Sequence, residues 1–174
     1  ISSCEVILSL PYGRQAARIL CQRTGARLIE CELPIGLEAT VNWLRQIAME
    51  LQVLDKAEEL ISRELKAVTR QIEFLLLKRF LHRRALIMGN DPYLLRALEV
   101  ALCELGFTIS AIVVFCHRRH LDKLFPNGQP DSSHWLVNPN PRDPTSGIRF
   151  YESQADLYIV NSRMLHFLRG INRR

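Results

Sequence analysis

The chain predicts an α/β fold: a three-layer, doubly wound parallel sheet with one long helix over about residues 54–81. Three observations point there. Short apolar runs alternate with amphipathic segments, the run TISAIVVF at residues 108–115 is crowded with β-branched side chains, and glycines or prolines stand at the borders. Strands that alternate with helices must pair in parallel, with both sheet faces covered and their sequences continuously apolar.

Residues 4–10 form the first strand, and residues 12–23 a helix that Gly25 stops by taking the left-handed φ. Residues 27–31 are the second strand and residues 37–51 the second helix. Between them, Leu33-Pro34-Ile35-Gly36 opens directly onto Leu37-Glu38-Ala39-Thr40. Pro34 removes a backbone donor and fixes φ, while Gly36 permits an approach that a Cβ forbids. Free N–H groups and Thr40 then stand at a helix N-terminus, where anionic groups bind well.

Leu54, Ile61, Val68 and Leu75, with Leu65 and Ile72 beside them, keep one apolar stripe along a single helix of about 40 Å. Its acidic start (Asp55, Glu58, Glu59) and basic end (Lys78, Arg79, Arg83) suit the helix dipole. Residues 84–88 are a strand, and residues 91–105 a helix with Pro92 at its start and Gly106 at its stop. After the strand at 108–115, residues 126–147 hold five of the eight prolines and read as a long loop. Residues 155–160 close the series.

With 174 residues and 48% hydrophobic content, residues 1–174 are enough for a single domain with its own core. Five cysteines (Cys4, Cys21, Cys31, Cys103, Cys116) are odd in number and scattered through apolar segments, which points to reduced thiols in a cytoplasmic protein. No apolar run reaches the roughly 20 residues that span a bilayer, so no membrane partner is expected. The net charge of +5 is dispersed, with clusters at His82-Arg83-Arg84, His117-Arg118-Arg119-His120 and residues 169–174. None carries an aromatic platform or a DNA-reading helix, so the clusters read as solvated ends and nucleic acid is not expected as a partner. A chain starting at Ile1 is read as a piece of a longer polypeptide.

In doubly wound sheets, ligands sit beyond the carboxyl ends of the strands. That rule selects Pro11, Tyr12 and Gly13, then Pro34, Gly36 and Thr40, then Asn90 and Asp91, then Cys116 and His117, and finally Asn161 and Ser162. Gly36 and Thr40 shape the turn and the helix N-terminus, Tyr12, Asp91 and His117 are the polar groups able to bond or protonate a ligand, and Asp91 and His117 are the catalytic candidates. Asp91 before Pro92 is equally a good helix N-cap. Single glycines at 13 and 89 do not make a G-x-G-x-x-G dinucleotide turn, and no G-x-x-x-x-G-K-[ST] is present. Cys116-His117-x-x-His120 has metal-like spacing but lacks a fourth ligand unless His134 supplies it; a strand end running into a solvated basic turn is the plainer reading. Trp43 reads as a core side chain.

Several patches, in order, resemble one family. Gly25-Ala26-Arg27 and then Pro34-Ile35-Gly36 with Thr40-Val41-Asn42-Trp43-Leu44-Arg45 are similar to a P-x-G-x-x-x-T-x-x-x-L-R segment. Arg84 to Asp91 resembles K-R-V-x-I-x-x-D, and Ala155 to Ser162 resembles A-D-L-I-I-G-N-S. The family is nitrogenase component 1 with its relatives: molybdenum–iron-protein subunits, cofactor-assembly scaffolds, and light-independent protochlorophyllide and chlorophyllide reductases.

The resemblance implies a Rossmann-like domain, the middle one of three, in a subunit that pairs with a homologous or identical subunit. It implies electrons arriving from an ATP-dependent iron–sulfur reductase and passing through an iron–sulfur cluster to a cofactor-bound or tetrapyrrole-like substrate. The cluster's cysteines belong to the preceding domain, so this chain alone is expected to hold no cofactor and to be inactive. Members that hold the large metallocofactor have a cysteine at the turn after the first strand; here that turn is Leu8-Ser9-Leu10-Pro11-Tyr12. That fits the tetrapyrrole-reducing relatives or a cofactor-free partner subunit. Val160 stands where the family has glycine, and the proline-rich loop matches no member. The alternatives are a non-catalytic carrier or assembly module for a metallocofactor or tetrapyrrole, and a small-molecule-binding sensor domain.

Overall fold

The computed structural model describes residues 5–125, 134–140 and 154–162. The chain divides into two compact units, Ile1–Ile72 and Glu73–Arg174. In the first, β1 (Val6–Ser9) leads through α1 (Arg14–Thr24) to β2 (Arg27–Glu30), and then to α2 (Leu37–Glu50). β1 and β2 pair in parallel with Val6 opposite Arg27 and Ser9 opposite Glu30. Gly25 ends α1 at φ +73°, its N–H donating to the Cys21 carbonyl at 2.8 Å, as its position after the helix predicts.

The long helix α3 (Leu54–Leu75) ends in a π-helical turn, Leu76–Phe80, so the helical run covers almost all of residues 54–81. Its stripe is buried at Ile61 and half-buried at Leu65, Val68 and Ile72, while its ends at Leu54 and Leu75 stay exposed.

The second unit holds β3 (Arg84–Gly89), α4 (Pro92–Glu104), β4 (Thr108–Val114), α5 (Arg118–Leu124), β5 (Trp135–Val137) and β6 (Leu157–Val160). The four strands pair in parallel in the order β5-β4-β3-β6. β3 and β4 are central, and Ala85–Gly89 and Ala111–Val114 are buried on both faces, which is why those stretches read as apolar runs. Alternate side chains divide between two cores. Ala85, Ile87, Ile112 and Val114 face one way, against Leu95 and Leu102 of α4 and Leu121 of α5. Leu86, Met88, Ala111 and Val113 face the other. The register slips between Ala85 and Leu86, where Ile109 and then Ala111 are the partners, leaving Ser110 as the extra residue of a bulge.

Two elements depart from the sequence reading. β5 lies inside the stretch taken as a long loop, whose residues 126–133 and 141–147 fall outside the described ones. The run Trp135-Leu136-Val137 is too short and too hemmed by asparagine and proline to announce itself. The basic segment after His117 is a helix and not a turn, anchored by Leu121, which is 8% exposed.

Candidate functional site

The carboxyl ends of β3, β4 and β6 gather most of the candidates of the second unit. Asn90 follows β3 and Asn161 follows β6. The Asn161 N–H donates to the Met88 carbonyl at 3.1 Å, extending the strand pairing, and its side-chain Nδ2 donates to Asn90 Oδ1 at 2.9 Å. Ser162 Oγ lies 3.4 Å from Asn161 Oδ1. The amide pair borders a cleft of about 190 Å³ with an apolar lining that includes Met88, Leu94, Leu98, Ile159 and Val160. Gly89 shapes its floor: a Cβ there would stand 3.2 Å from Leu95 Cδ2 and press against α4.

Asp91 is the N-cap of α4. Its Oδ1 accepts from the Tyr93 N–H at 3.1 Å and the Leu94 N–H at 3.2 Å, and Pro92 sits in the first turn. Cys116 ends the β4 side of the same edge. Its backbone is clamped by Asn138, whose Oδ1 accepts from the Cys116 N–H at 3.1 Å while Nδ2 donates to the Cys116 carbonyl at 2.9 Å. Asn138 takes φ +45°, a conformation asparagine tolerates, and its own N–H donates to Val114 at 2.8 Å. Burial pushes the Cys116 thiol above its ordinary pKa, and the negative Asp91 adds to that.

His117 is exposed and caps α5, its Nδ1 lying 3.5 Å from the Arg119 N–H that donates to it. His134 does not join Cys116, His117 and His120. Its Nε2 lies 2.7 Å from Glu99 Oε1, and Arg96 Nη1 reaches Glu99 Oε2 at 2.6 Å. Among the described residues no three His, Cys, Asp or Glu side chains are grouped to hold a metal ion.

In the first unit, Pro11, Tyr12 and Gly13 form the turn into α1, with the Gly13 N–H donating to Leu10 at 3.0 Å and Tyr12 58% exposed. Gly36 takes φ +98° and ψ 170°, open to glycine alone, which explains the Pro34-Ile35-Gly36 turn. Thr40 Oγ1 lies 2.6 Å from the Gly36 carbonyl and 3.1 Å from that of Pro34. The hydroxyl therefore donates inward and locks the turn, the shaping role expected of Thr40 beside Gly36. Trp43 is half-buried, and its Nε1 is buried without a hydrogen-bond partner among the described residues.

An iron–sulfur cluster needs several thiolates converging on one point. The described cysteines lie apart in the chain's elements: Cys21 on α1, Cys31 beyond β2, Cys103 on α4, Cys116 beyond β4. Burial raises the thiols of Cys31, Cys103 and Cys116 above their ordinary pKa. Among the described residues these thiols are not grouped as metal or cluster ligands.

Sequence reasoning missed Asn138 and the Glu99–His134 pair. A buried glutamate on a core-facing helix position is the signal that asks for a partner, but no spacing rule names His134.

A sequence profile of the nitrogenase component 1 type oxidoreductases matches residues 2–171. The chain belongs to that family. Nitrogenase Cp1 at pH 6.5 superposes with a TM-score of 0.64 and 17% identity, over 97% of this chain and 37% of its own. Nitrogenase Cp1 at pH 5 gives a TM-score of 0.66 and 14% identity, over 95% of this chain and 40% of its own. The likeness shows the fold, a Rossmann-like α/β arrangement of parallel strands and flanking helices. The chain spans less than half the length of these solved chains. An ABC transporter substrate-binding protein from Listeria monocytogenes EGD-e, at a TM-score of 0.45 and 10% identity over 92% of this chain and 68% of its own, is too distant to carry an argument. No curated protein matches the chain.

Proposed function

We propose that this chain is the middle domain of a longer oxidoreductase subunit that accepts electrons from an ATP-dependent iron–sulfur reductase and delivers them to a cofactor-bound or tetrapyrrole-like substrate. The family match over residues 2–171 carries the reading. In it, the carboxyl edge of the four-stranded sheet, with Asn90, Asp91 and Asn161, faces the ligand, as ligands do in doubly wound sheets. The iron–sulfur cluster is held by residues outside this chain, and the subunit works in the cytoplasm against a homologous or identical copy. The absence of a cysteine from Leu8 to Tyr12 favours a tetrapyrrole-reducing or cofactor-free subunit over one that grips the large metallocofactor.

Anaerobic purification of the full-length parent with its partner subunit, followed by iron and sulfide analysis and an absorption spectrum, tests this. Iron, sulfide and a broad visible band are expected. A colourless, iron-free, folded parent would remove the electron-transfer reading.

One observation favours a second reading, a carrier that holds its cargo without reducing it. Asp91, the carboxylate bordering the cleft, is engaged as a helix cap, and the other polar groups there are neutral amides. A carrier would bind its cargo with the same affinity whether or not the reductase is present, and would leave it unreduced.

A further inference from the structure

Rossmann-like folds commonly present a helix N-terminus to a phosphate at the carboxyl edge of the sheet, using N–H groups that the helix leaves unmatched. In α4 those groups are already used. Pro92 has no N–H, the Tyr93 and Leu94 N–H groups donate to Asp91 Oδ1 at 3.1 and 3.2 Å, and the Leu95 N–H donates to the Asp91 carbonyl at 3.0 Å. The group that completes the turn is a carboxylate, so an approaching phosphate meets negative charge where it needs donors.

The rest of the cleft points to a different guest. Its walls are aliphatic, and its polar rim includes the Asn90 and Asn161 side chains. Asn90 spends its Oδ1 on Asn161, which leaves the exposed Nδ2 amide as the side-chain donor it presents at the rim. The group left over is therefore a donor, which asks for an acceptor such as a carbonyl oxygen or an unprotonated ring nitrogen. About 190 Å³ is less than the roughly 300 Å³ of a whole ligand site, so the cleft receives one ring or a short branched end of a larger molecule.

We propose that the cleft between β3, β6 and α4 is a subsite for an uncharged, mainly aliphatic ligand edge bearing one hydrogen-bond acceptor, and that it excludes phosphate. The proposal deepens the reading above, because it takes this edge as the ligand face of the subunit. The two fail separately: iron and absorption of the parent report on the subunit, whereas the probes below report only on the cleft.

The test is titration of the isotope-labelled chain by NMR with two probes, cyclohexanone and inorganic phosphate. Cyclohexanone should shift the Asn90 side-chain amide and the methyls of Leu94, Leu98 and Val160. Asn90→Ala should weaken it by about tenfold, the worth of one net hydrogen bond at the upper end. Val160→Phe, which fills the cleft, should abolish it. Phosphate should leave the Tyr93 and Leu94 amides unmoved in the wild type and shift them in Asp91→Ala, where their acceptor is gone. Asn90 is exposed, so its variant keeps the test informative even where Val160→Phe fails to fold. The proposal is overturned by phosphate binding at the wild-type α4 terminus, by cyclohexanone binding indifferent to Asn90→Ala, or by no cyclohexanone binding at the cleft.

Discussion

His134 Nε2 lies 2.7 Å from Glu99 Oε1, and this contact ties the residue before β5 to the middle of α4. The Glu99 side chain is 8% exposed and its other oxygen takes Arg96. A buried carboxylate that loses one of two partners bears the desolvation cost of the orphaned oxygen. His134→Ala should lower stability by about 1–3 kcal/mol in urea unfolding. Replacing both residues by leucine should cost less than His134→Ala alone, since no buried charge is then left behind. A double variant as unstable as the sum of its parts would show that the contact is not what holds β5.

Gly36 and Thr40 fix the turn that enters α2. At φ +98° and ψ 170°, Gly36→Ala should cost about 1–3 kcal/mol through backbone strain alone. Thr40→Val preserves shape but removes the donor to the Pro34 and Gly36 carbonyls, and should cost about 1 kcal/mol. Both changes are read from chemical-denaturation midpoints.

Asp156 joins the start of β6 to the start of β3: the Arg84 N–H donates to its Oδ2 at 2.8 Å, and Arg83 Nη1 stands 3.5 Å from Oδ1. That backbone hydrogen bond, with the charges of Arg83 and Arg84, holds its carboxyl below the usual aspartate range. The stabilisation it gives is therefore complete above the unfolded value of about 3.9 and is lost as pH falls through the lower folded value. Asp156→Asn should flatten the acid side of the stability curve and leave its shape near neutrality unchanged, as followed by urea unfolding between pH 2 and 7.

Cys116 should alkylate more slowly than an unhindered thiol, because burial and then Asp91 raise its pKa. Asp91→Asn keeps an oxygen to cap α4 but removes the charge, so iodoacetamide modification of Cys116 at pH 8, read by peptide mapping, should speed up. An unchanged rate would mean that the Asp91 charge does not reach the thiol.

The parts of the fold governed by short-range rules were legible in the sequence. Gly25, Gly106 and Asp91-Pro92 mark helix ends because φ and N–H accounting depend on adjacent residues, and β3 and β4 stand out because Ala85–Gly89 and Ala111–Val114 are buried on both faces and apolar. What escaped depends on partners distant in the chain. β5 is three residues long and is a strand only because β4 pairs with it. Asn138 matters through the backbone of Cys116, 22 residues away. The sequence placed Asn90, Asp91 and Asn161 at one edge through the strand-end rule; the amide pair that joins two of them needed coordinates.

The central claim, that this chain belongs to a subunit receiving electrons, is tested most directly by mixing the metal-replete full-length parent with its iron–sulfur reductase and following the parent's visible absorption under anaerobic conditions. The expected result is a change of the parent's spectrum that requires both the reductase and ATP hydrolysis. A spectrum that stays unchanged with reduced, ATP-hydrolysing reductase present would contradict it.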